Sequence, residues 1–158
     1  MSQKAALLKA VRDELKARVP EVANRVFVVV QDAQGNVLLP QEAQAPFLTV
    51  ADGGLELDWV PGQTALATYL VTVRAYVQDL RDNETPVIGH PTTSTRGAAE
   101  LQGLITAALE GNRMPERITG LQLARTEREP AVDIIGDENW WAVTGDVQLR
   151  YAMTESVG

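Results

Sequence analysis

The stretch "TYLVTVRAYV" (68–77) constrains the fold of this chain more than any other. Tyr69, Val71, Val73, Ala75 and Val77 alternate with Leu70, Thr72, Arg74 and Tyr76. Successive side chains of a strand point to opposite faces, so one face is apolar and the other mixed. Such a strand belongs inside a sheet whose apolar side is covered by helices.

The flanking segments supply that cover. In "SQKAALLKAVRDELKARVPEV", Leu8, Val11, Leu15 and Val19 recur at three- and four-residue steps, with Leu7 beside them. This predicts an amphipathic helix, with Ser2 as candidate N-cap and Pro20 marking the end. "TSTRGAAELQGLITAALEGN" predicts a second helix with Leu101, Leu104, Ile105, Ala108 and Leu109 on its apolar side. Ser94 or Thr95 would cap its start and Gly111 would stop it.

The remaining segments read as strands. "RVFVVVQDAQGNVLL" predicts a hairpin turning at Gly35 and Asn36. "APFLTVADGGLELDWV" predicts a strand over Phe47–Val50, a turn at Asp52, Gly53 and Gly54, and a short strand ending before Pro61. Towards the C-terminus, Leu121 and Leu123 alternate with Gln122 and Ala124. Trp141, Val143, Val147, Leu149 and Tyr151 then alternate with Trp140, Thr144, Asp146, Gln148 and Arg150. These predict an antiparallel pair around an acidic connection at about 128–138. The order helix, strands, helix, two strands predicts an α+β fold: a mainly antiparallel sheet with two helices packed on one face. A single domain over residues 1–158 accounts for it.

Charge narrows the function. The net charge of −7 argues against wrapping nucleic acid, which needs clustered cations. All three lysines (Lys4, Lys9, Lys16) fall in the first predicted helix, and residues 1–25 carry six basic against three acidic groups. The rest holds eight arginines against 18 acids. Either a solvated helix face or charge-complementary packing against a neighbouring copy explains the asymmetry. With no cysteine, thiol chemistry and thiolate metal sites are excluded. The charged N-terminal segment lacks the apolar centre of a signal peptide, and no apolar run is long enough to span a bilayer.

Chemical motifs are weak. His90, the only histidine, sits in "IGHPTT" with Asp82, Glu84, Thr92 and Ser94 nearby only in sequence, and catalysis needs such groups rigidly held. Asp133, Asp137 and Glu138 lack the alternating oxygen ligands of a calcium loop. The Gly53–Gly54 pair has no following lysine or serine at phosphate-loop spacing. Trp140 and Trp141 face opposite ways on a strand, one into the core and the other capping an exposed face or a subunit contact. No catalytic, cofactor or metal residues are assigned, and the chain reads as a non-enzyme. One feature remains: a polar, Pro-broken loop over about 79–96. Asp79, Arg81, Asp82, Glu84 and Arg96 mix there with Val87 and Ile88, a composition able to order on a neighbour.

In this order, the amphipathic N-terminal helix, "RVFVVV", "PFLTV", "YLVTVRAYV", "AAELQGLITAALEG" and the closing "GLQLARTEREPAVDIIGDENWWAVTGDVQLRY" resemble the tail terminator (tail completion) proteins of long-tailed bacteriophages and prophages. The resemblance runs over nearly the whole chain as an ordering of elements. It implies a structural virion protein, forming a homohexameric ring that caps the head-proximal end of the tail tube. The ring would end tube elongation and join tail to head. Implied partners are sister copies, the tail-tube protein and the head–tail connector protein; DNA would pass through without specific binding, and no membrane or cofactor is involved. The implied location is the virion tail, assembled in the bacterial cytoplasm. Under this reading the 79–96 loop and Trp140 are the candidate assembly residues. The alternatives are a head–tail connector or neck subunit, and a small-ligand- or peptide-binding domain using the sheet face around Trp140 and Tyr76.

Overall fold

Leu7, Val11, Leu15 and Val19 are fully buried at four-residue steps, so helix α1 (Gln3–Arg18) turns one stripe inward. Leu8 lies at the edge of that stripe, half-buried against the core. The helix stops before Pro20, with Lys16 and Arg18 in its last turn beside the negative end of its dipole. The computed structural model describes residues 3–22, 24–30, 45–60, 64–78, 84–89, 96–110, 121–136 and 141–156.

After α1 come strands β1 (Val26–Val29), β2 (Phe47–Val60) and β3 (Thr64–Val77). The short helix α2 (Thr85–Ile88) and the longer α3 (Ala98–Leu109) follow, then β4 (Leu121–Arg128), β5 (Asp133–Gly136) and β6 (Trp141–Ser156). The sheet runs β1-β2-β3-β6-β4, with β5 also paired to β6. Among the described residues only the β1–β2 pairing is parallel; the other four are antiparallel. The α+β order holds, and β3 sits at the centre of the sheet.

One continuous core joins helices and sheet. Ala67, Tyr69, Val71, Val73, Ala75 and Val77 of β3 and Val143, Val147, Leu149 and Tyr151 of β6 meet the buried stripe of α1 and Leu101, Ile105, Ala108 and Leu109 of α3. Each fully buried aliphatic side chain of this kind contributes about 1.5–3 kcal/mol. A smaller cluster, Phe47, Tyr76 and Ala142, lies on the opposite face, where Tyr76 stacks on Phe47 at 4.5 Å.

Several expectations are corrected. The predicted turn at Asp52, Gly53 and Gly54 is a bulge inside one 14-residue strand. The register steps there from Asp52↔Val71 to Gly54↔Leu70, so one extra residue is absorbed. Gly54 adopts φ 113°, which a side chain resists, and its amide bonds to Asp52 Oδ1 at 2.9 Å. The bulge has a purpose in packing. Leu48 and Val50 face the helices before it, and Leu55 and Leu57, opposite Tyr69 and Ala67, face the same side after it.

The described partner of β1 is β2, in parallel register from Val26↔Leu48 to Val29↔Ala51. The predicted hairpin turn at Gly35 and Asn36 lies outside the described residues. The acidic connection before β6 contains a strand of its own, β5, pairing from Asp133↔Thr144 to Gly136↔Trp141. The residue capping α3 is Gly97; the predicted caps Ser94 and Thr95, and the predicted stop Gly111, lie outside the described residues. Among the described residues no helix is long and apolar enough to cross a membrane.

Candidate assembly surfaces

The sequence points first to the loop between β3 and α3, and part of that loop is ordered by packing. Pro86 enters the first turn of α2, where its missing N–H costs nothing, and Thr85 and Pro86 are buried. The amides of Val87 and Ile88 both bond to the Glu84 carbonyl at 2.9 Å. Val87 packs against the core, whereas Ile88 is 60% exposed. Gly97 explains how closely this turn sits on α3: a Cβ there would stand 2.2 Å from the Val87 carbonyl oxygen. The expectation of a loop without structure is corrected for residues 84–89.

Arg96 is occupied within the subunit. It donates to Glu21, in the turn after α1, and to Glu100 Oε2 at 3.3 Å, one helical turn into α3. The hydrogen bond and charge of Glu21 raise the Arg96 guanidinium above its ordinary range. Of the predicted assembly residues, Glu84, Val87, Ile88 and Arg96 are thus placed around the start of α3. Only Glu84, Ile88 and Arg96 are exposed there. Asp79, Arg81, Asp82 and Trp140 lie outside the described residues, as does His90.

The sheet face away from α1 and α3 carries features that sequence reading missed. Arg74 and Asp146 stand directly opposite on β3 and β6 and form a two-pronged ion pair, at 2.7 and 3.0 Å. Burial pulls the Arg74 guanidinium down, but the hydrogen bond and charge of Asp146, aided by Tyr76, outweigh it and hold Arg74 above its ordinary range. The signal was present: opposite charges on the polar faces of two strands read as neighbours. Their alignment required the register, which the sequence does not carry. This face grades from buried to open. Thr49, Tyr76, Ala142 and Thr144 are buried, Arg74 and Asp146 half-buried, and Glu56 exposed.

A second missed group holds the C-terminal strands to α3. Gln102, 7% exposed, donates Nε2–H to the carbonyls of Pro130 at 2.8 Å and Asp146 at 2.9 Å. Beneath α1, Glu14 is buried and pairs with Arg18 at 3.0 Å. The Tyr151 hydroxyl is buried with no described hydrogen-bond partner. Burial first, and the Glu14 charge second, push its pKa above the ordinary tyrosine range.

Among the described residues, no strand pairs with the outer side of the sheet at either lateral end. β1 covers β2 only as far as Ala51, and among the described residues nothing pairs with the outer side of β2 from Gly54 to Val60. Leu55 and Leu57 are 39% and 43% exposed there. At the other end β4 is a terminal strand of the sheet path. Among the described residues no cluster of three or more acidic or histidine side chains could hold a metal ion.

No family model and no curated protein matches this chain.

Proposed function

We propose that this protein is a structural subunit of a closed ring, of the tail-terminator type, that caps the head-proximal end of a phage tail tube. The observation that supports this reading most is a sheet whose two lateral ends carry no partner strand among the described residues. A ring grows by heterologous contacts, in which one surface of each copy meets a different surface of the next. A sheet covered on one face by α1 and α3 and unpaired at opposite ends has two such surfaces. The element order, helix–strands–helix–strands, adds to it. Capping then needs no bond chemistry: the ring occupies the binding edges of the last tube layer and offers no equivalent edge in return. An acidic subunit suits a passage for DNA, because like charge prevents phosphates from adhering.

The test is direct. Native mass spectrometry and negative-stain microscopy of the purified chain should find a ring with a central hole, and added protein should stop the lengthening of tail tubes in vitro. A chain that remains monomeric at its highest soluble concentration, and leaves tube length unchanged, overturns the reading. A ring that binds the portal side and ignores tube ends marks a connector instead.

A further inference from the structure

Resting on the ring reading, we infer that neighbouring copies join by strand pairing, the outer half of β2 (residues 54–60), unpaired among the described residues, in one copy adding antiparallel to β4 (Leu121–Arg128) of the next. The argument begins from register. Leu57 stands opposite Ala67, Ala67 opposite Met153, and Met153 opposite Leu121. Likewise Gly54 leads through Leu70 and Arg150 to Arg125. Gly54 to Leu57 of β2 and Leu121 to Arg125 of β4 therefore occupy the same level along the strands, at opposite ends of one sheet. A flat ring has no axial rise between copies, so the two joining surfaces must share a level. Here they do. β1 sits at a different level, over Leu48–Ala51 of β2, and leaves this stretch clear.

Direction agrees as well. Three successive antiparallel pairings separate β2 from β4, so the two strands run oppositely. Rotation about an axis roughly along the strands preserves each direction, and the neighbour's β4 meets β2 in the antiparallel sense. Residues 55–60 alone offer about 20 Å of edge. An unpaired edge of that length is ordinarily blunted or used.

Charge and apolarity favour a second copy as the occupant. The β2 stretch carries Glu56 and Asp58, and β4 carries Arg125 and Arg128 against the single Glu127. Glu127 is already engaged by Arg150 at 2.8 Å. In register position 125 stands opposite Arg150, two basic positions that an acid alongside would complement. Glu56, opposite Thr68, takes the same sheet face as position 125 and lies two pairing levels from it, so joining the edges sets acid diagonally beside base. On the helix side, Leu55 and Leu57 lie exposed at the seam, where the next copy would cover them.

Because the chain has no cysteine, introduced thiols report contacts cleanly. Glu56→Cys is combined in turn with Gln122→Cys, Arg125→Cys and Arg128→Cys, then oxidised and run on denaturing gels. At least one pair should give a ladder of covalent oligomers ending at the ring size, whereas Glu56→Cys alone should stop at dimers. In parallel, Glu56→Lys should raise the concentration for half-assembly at least ten-fold, and Arg125→Glu with Arg128→Glu should restore it. Unchanged thermal unfolding of each variant certifies its fold. A ring that forms in wild type and in all three pairs yet yields no ladder overturns the edge pairing and leaves the ring standing. A chain monomeric at all concentrations removes both.

Discussion

At the scale of single residues, two buried polar groups define what the core tolerates. Gln102 satisfies two main-chain carbonyls from different segments at once. Gln102→Leu keeps the volume and strips both bonds, so urea unfolding should show a loss of about 1–3 kcal/mol, the usual cost of buried acceptors left unpaired. Tyr151 works through protonation. Its phenol is held neutral in the fold, so the folded pKa exceeds the unfolded one. Its contribution is full below the unfolded value of about 10 and is lost as pH rises towards the folded one. Alkaline titration followed by tyrosinate absorbance should show an ionisation that appears only as the protein unfolds, and Tyr151→Phe should reduce its amplitude by one tyrosine. Neither role was legible beforehand. Gln102 sits on the buried stripe of α3, between Ala98 and Ile105, but its polar side chain reads as surface until the carbonyls of residues 130 and 146 supply its partners.

At the scale of elements, the apolar periodicities were read correctly and the punctuation was not. Leu101, Ile105, Ala108 and Leu109 face the core as their spacing requires, and the odd-numbered residues of β3 from 67 to 77 do too. By contrast, Asp-Gly-Gly serves a reversing turn and an in-line bulge alike; what decides is whether Leu55 and Leu57 continue against β3. The parallel pairing of β1 is long-range and leaves no local mark. α2 was hidden because four residues cannot display a helical period, and its order comes from contact with α3. That dependence is testable. Gly97→Ala forces a Cβ against the Val87 carbonyl, so hydrogen exchange at the Val87, Ile88 and Gly89 amides should rise at least ten-fold. Exchange in the centre of β3 should stay unchanged.

At the scale of the whole molecule, the basic N-terminal region is partly neutralised from within. Lys4 meets Asp52 at 3.1 Å, Arg12 meets Asp13, Arg18 meets Glu14, and Arg25 donates to the Glu21 carbonyl. The exposed pairs among these, Lys4–Asp52 and Arg12–Asp13, contribute about 0–1 kcal/mol each, and only the first ties α1 to the sheet. They also leave fewer free cations on this helix to attract a neighbour, which shifts attention from charge blocks to strand ends. The candidate assembly loop drew attention in the sequence because it broke the pattern. The open strand ends drew none, since an edge is a property of topology and not of composition. The bulge in β2 carries one last consequence. Side chains alternate sides with each residue, so a β2 that kept Gly53 but ran straight through it would exchange the two surfaces of everything beyond: Glu56 would swing beneath the helices and the leucines would turn outward, while Phe47 through Ala51 kept their places. One absorbed residue thus keeps the molecule's far end from being presented inside out.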